Sequence, residues 1–166
     1  MQSRKELNIM SGIKESITKL SVALGISSKE FKPVGIHEWP LIMKKIERAF
    51  VVKENSNTRF NWWWENLKGV PYQIHFKKDD AYKCLYKLVD DNENIWFIIS
   101  DSDHNLSKFW LFQGYIGPIQ TLIEEHYAFE YYLVSKKYEW LLCENRHGTL
   151  IGIGTMVVKM QALLSK

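Results

Sequence analysis

The stretch CENRHGTLIG, Cys143 to Gly152, places Glu144, Arg146 and His147 close together around a turn. An acid, a cation and an imidazole at one tip are the side chains that acid–base chemistry or anion recognition would use. A second polar turn, SDSDHNLSK, contributes Asp101 and His104. If the fold brings Asp101, His104, Glu144, Arg146 and His147 to one cleft, the chain has a polar site for a small ligand or a reaction. Hairpin tips also collect Asp, Asn and Ser because these residues bond their own backbone, and Gly148 suits the left-handed position such a tip requires. SDSDHNLSK lacks the spacing of a calcium loop. The five histidines stand singly, without the H-x-x-x-H spacing of a zinc site, so neither metal nor cofactor is expected. No nucleophile elbow surrounds a serine, and GIGTM, Gly152 to Met156, has one G-x-G without the rest of a dinucleotide fingerprint.

The other conspicuous stretch is RFNWWWENLKG, Arg59 to Gly69. Neighbours in a strand alternate faces and a helix turns about 100° per residue, so Trp62, Trp63 and Trp64 cannot all point one way. One indole must meet a second core layer, a covering loop or another molecule. Tryptophan is mostly buried, which favours packing for any single ring. Trp and Arg also dominate interface hot spots, so Arg59, Trp62, Trp63, Trp64 and Glu65 are the candidate partner surface.

The elements that position these residues follow from apolar spacing. Apolar residues from Leu7 to Leu24 recur at helical intervals and Gly25 can cap the helix. ISSKEFKPVGIHEWP reads as loop and turns. It leads into a helix with Pro40 in its first turn, burying Leu41, Ile42, Ile46 and Phe50. DDAYKCLYKLVDD reads as a further helix. IWFIIS, KFWLFQG, FEYYLVS, YEWLLCE and TLIGIG are short runs rich in branched and aromatic residues, and they read as strands. GPIQTLIEEHYA and MVVKMQALLSK complete the helices. Short polar links between the strands imply antiparallel pairing. The expected fold is therefore α+β, a mainly antiparallel sheet of about five strands with helices over one face. A chain of 166 residues suits a single domain over 1–166, with a helical amino-terminal part (1–50) and a helix-and-sheet core (60–166).

Composition narrows the function classes. A net charge of +3 is too small for an electrostatic nucleic-acid binder, and the basic pairs in HFKKDD and SKKYEW are followed by acid. No apolar stretch is long enough to span a bilayer, and the start lacks a signal-peptide core. With only Cys84 and Cys143, both in apolar surroundings, no disulfide is expected and the cytoplasm is the expected compartment.

The segment from KFWLFQG to TLIGIG, through EYYLVSKKYEWLLCENRHG, resembles a family of small bacterial proteins of unknown function over roughly Trp62 to Gly154. That resemblance implies no catalytic residues. Size, an aromatic-rich sheet and a helical start are also similar to the SUKH superfamily of bacterial immunity proteins, which implies an α+β domain that binds and neutralises a toxin. The expectation is a non-enzymatic protein-binding domain of immunity or antitoxin type, with a toxin-like protein as partner. The alternative is a small-molecule-binding domain or enzyme with a pocket between helices and sheet.

Overall fold

A computed structural model describes residues 12–52, 60–78, 80–103, 106–126 and 128–165. Among them the chain forms an α+β structure in which seven strands make one antiparallel sheet. The strands are β1 (Phe31–Pro33), β2 (Tyr72–His75), β3 (Ile95–Asp103), β4 (Leu106–Gly114), β5 (Tyr131–Ser135), β6 (Trp140–Glu144) and β7 (Thr149–Gly154). Their spatial order is β1-β4-β3-β5-β6-β7-β2, and every neighbouring pair is antiparallel. The helices are α1 (Ile13–Ala23), α2 (Trp39–Phe50), α3 (Leu85–Leu88), α4 (Ile116–Glu125) and α5 (Met156–Leu164). Two 3₁₀ turns, Phe60–Glu65 and Ala81–Cys84, complete the described elements.

All five expected strands are present. The two additional ones, β1 and β2, are the edges of the sheet. FKP is three residues long and holds Pro33, which cannot donate to a ladder on both sides, so it reads as loop yet pairs with β4 from one side only. Strand β2, YQIH, alternates half-buried with exposed positions and is only four residues long. Short strands and proline are common ways of blunting a sheet edge.

Both faces of the sheet are covered, which corrects the expectation of a single helical layer. Alternation divides each strand between two cores. Ile95, Phe97 and Ile99, with Tyr131, Leu133, Trp140, Leu142 and Leu150, face α1, α3, α4 and α5. Trp96 and Ile98, with Tyr132, Val134, Leu141, Cys143, Ile151 and Ile153, face α2 and the Trp63 segment. Strands β5 and β6 are consequently buried at every position. Helix α2 meets its core through Met43, Ile46 and Phe50, whereas Leu41 is 63% exposed. The expected burial of Leu41 fails because it lies about 200° around the helix from Met43, on the opposite side. Gly25, with φ +72°, closes α1 as expected.

The GIGTM turn is explained by packing. A side chain at Gly152 would collide with Met160 of α5, and one at Gly154, where φ is +70°, would collide with the carbonyl of Glu139. Gly152 lets α5 lie close on β7, and Gly154 lets the end of β7 approach the start of β6.

Candidate functional site

The 3₁₀ turn Phe60–Glu65 crosses the second face of the sheet and separates the indoles. Trp63 is 1% exposed, stacked on Phe109 at 4.9 Å between ring centres and edge-on to Tyr132 at 5.4 Å. It is the plug of the second core. Trp64 is half-buried at the rim, and its backbone N–H donates to the Tyr132 hydroxyl at 3.2 Å. That hydroxyl is itself hydrogen-bonded to the Cys143 thiol. The turn is thus pinned to the middle of the sheet, with Trp64 directed towards the β6–β7 turn. The Trp62 side chain and Arg59 lie outside the described residues.

The β6–β7 turn is built by Asn145, whose buried side-chain oxygen accepts the backbone N–H groups of His147 (2.9 Å) and Thr149 (3.1 Å). Gly148 takes φ +74°. This turn leaves Arg146 and His147 exposed, and the His147 ring meets the Trp64 ring edge-on at 6.1 Å. The two candidate sets are therefore joined at this corner: Trp64 and exposed Glu65 from one, Arg146 and His147 from the other.

Beneath them is Glu130, a residue that sequence reading did not single out. It is 9% exposed, and one carboxylate oxygen accepts the Arg146 backbone N–H at 3.2 Å. Burial pushes its pKa above the ordinary glutamate value. The Arg146 N–H, the Arg146 charge and the Trp64 side chain pull it down, while the charge of Glu65 pushes it up. The only sequence signal for this residue is a lone acid inside the apolar run FEYYLV.

The remaining polar candidates are elsewhere. Glu144 faces the helical core, where its carboxylate accepts the Tyr131 hydroxyl at 2.7 Å. Neighbouring strand positions alternate faces, so Glu144 cannot share a site with Glu130 across the sheet. Asp101 accepts the Trp110 indole N–H at 3.2 Å, and Lys14 sits 5.1 Å from the centre of the same ring. His104 lies outside the described residues. Among the described residues no three His, Cys, Asp or Glu side chains are grouped to hold a metal ion, and no helix is long and apolar enough to cross a membrane. Burial raises the pKa of both thiols, Cys84 to about 11 and Cys143 well above its usual value. Both are free cysteines.

The fold and this corner define an α+β protein whose antiparallel sheet is packed on both faces, with an aromatic and charged cluster at the rim of the second face. The chain belongs to DUF6756, a family of unknown function whose sequence profile matches residues 10–164. The match takes in α1, α2 and α5 as well as the sheet. No curated protein and no solved structure gives a significant match.

Proposed function

We propose that the chain is a single, cytoplasmic, non-enzymatic domain that binds another protein through the Trp64–Glu65–Arg146–His147 corner. Neutralisation of a toxin-like partner, in the manner of an immunity or antitoxin protein, is the most concrete form of this reading. The observation that supports it is the meeting of Trp64 with His147, which sets a half-buried indole beside exposed Arg146 and Glu65. Trp and Arg are the residue types that concentrate binding energy, and exposed charges around them give orientation. The rigid anchorage of Trp64 through Tyr132 keeps the ordering cost of binding low.

Affinity capture from the native host with the wild type, Trp64→Ala and Arg146→Ala provides the test. A partner retained by the wild type and lost by both variants, with the folds intact, supports the reading. Retention by both variants refutes it. If the captured protein is a toxin, co-expression of this chain should restore growth and Trp64→Ala should not.

The buried carboxylate of Glu130 favours the alternative of a ligand-binding or catalytic pocket, because carboxyl groups with raised pKa are typical general acids. Under that reading Glu130→Gln abolishes turnover or ligand binding while capture of a protein partner is irrelevant. Under the protein-binding reading Glu130→Gln leaves capture within about twofold, since glutamine still accepts the Arg146 N–H.

A further inference from the structure

We propose a second site on this chain, a basic groove at the carboxyl end of α2 that receives an acidic segment of a polypeptide. The groove encloses about 440 Å³ and is lined by Lys44, Glu47, Arg48, Val51, Val52 and Lys68. Three cations face one carboxylate there. Its walls are held together by backbone pairing: Val52 N–H donates to Asn66 O at 2.7 Å, Lys68 N–H to Phe50 O at 2.8 Å, and Val51 is bridged to Leu67. Part of the positive charge has a structural use, since the Lys68 ammonium donates to the Arg48 carbonyl and cations near a helix end complement its dipole. Lys44 lies a turn earlier and is exposed, as is Arg48, so both guanidinium and ammonium groups are available along the groove.

The mixture selects the occupant. Val52, 44% exposed, gives the groove an apolar side chain above the buried Val51, suited to an aliphatic side chain between acidic ones. Arginine and lysine clusters recognise acidic motifs by charge-assisted hydrogen bonds. A nucleic-acid strand fits less well: among the described residues no aromatic ring lines the groove to stack a base, and Glu47 opposes a continuous phosphate backbone. This site is independent of the Trp64 corner and stands whether or not that corner binds a partner.

Fluorescence anisotropy of the intact chain with a labelled peptide alternating glutamate and leucine tests the proposal. A single-stranded oligonucleotide of equal charge and a lysine–leucine peptide serve as comparisons. The acidic peptide should bind, weaken with added salt, and lose about tenfold in affinity with Lys44→Glu combined with Arg48→Glu. Lys137→Glu, in the β5–β6 turn, should leave binding unchanged. Should the double variant misfold, Lys44→Gln at its exposed position must still weaken binding with an unaltered circular dichroism spectrum. Absence of peptide binding, equal loss with Lys137→Glu, or tighter binding of the oligonucleotide than of the acidic peptide would each overturn it.

Discussion

Replacing Trp63 by alanine should destabilise the fold far more than the same change at Trp64. A buried tryptophan removes roughly 200 Å² from water, worth about 5 kcal/mol at about 25 cal/mol per Å². Alanine retains part of that burial and the site relaxes partly around the void, so the expected cost is about 3–5 kcal/mol. The rings of Phe109 and Tyr132 would lose their central partner, because Trp63 contacts both. Trp64 is half-buried and contacts His147 at the rim, so its removal should cost about 1–2 kcal/mol. Urea unfolding followed by circular dichroism measures both differences, and slopes equal to that of the wild type would show that the comparison is between like states. A double-mutant cycle of Trp63→Ala with Phe109→Ala should give a coupling of about 0.5–1.5 kcal/mol. Equal losses for Trp63→Ala and Trp64→Ala, or zero coupling, would refute the division of the indoles into a core plug and a rim residue.

Trp140→Ala on the opposite face should cost about 3–5 kcal/mol in the same assay, since Trp140 is 2% exposed among the residues facing the helices. In a thiol-titration experiment on the folded chain, Cys143 should react only as fast as the protein unfolds, and Cys84 slowly. Burial raises both pKa values and disfavours the thiolate. Glu130 should make stability fall as pH rises from the ordinary glutamate value of 4.5 towards neutrality. Its folded pKa is raised, so over that window the folded state holds more protons than the unfolded one. Glu130→Gln should flatten this slope in urea unfolding at several pH values, and an unchanged slope would show that another group causes it.

The sheet was legible because its strands are short runs of branched and aromatic residues bounded by turn residues. Ile95, Phe97 and Ile99 on one side and Trp96 and Ile98 on the other could be assigned to strands before their faces were known. The second layer was also encoded, since YYLVS and WLLCE are apolar at nearly every position, as strands covered on both sides are. That signal conflicted with the short antiparallel links, which suggest a sheet with one wet face. The edge strands were not legible, because three or four residues carry too few alternations to stand out from a loop. The candidate corner was legible only in halves. Trp64 and His147 are far apart in the chain, and their contact depends on Tyr132 holding the 3₁₀ turn against β5. Glu144 illustrates the limit in the other direction: adjacent to the turn in sequence, it is turned to the opposite face by strand alternation.

Coverage of both faces constrains where any partner can act. The interior strands β3 to β7 have neighbours on both edges and side chains in both cores, so the main body of the sheet has no open face to offer. Recognition must then use strand ends, edges or the outer surfaces of the covering layers. The segment from Phe60 to Lys68 supplies two such surfaces, because it plugs the second core with Trp63 while placing Trp64 at the β6–β7 turn and Lys68 in the basic groove. Its stability therefore links packing to surface display. Loss of Trp63 should disorganise both the corner and the groove, whereas loss of Trp64 or Lys44 should affect one without the other. Hydrogen exchange over residues 60–68 can separate these outcomes. Protection should collapse with Trp63→Ala and persist with Trp64→Ala and with Lys44→Gln. Persistent protection in Trp63→Ala would mean that the segment is held by its backbone contacts alone, and that the indole at position 63 does not couple the two surfaces.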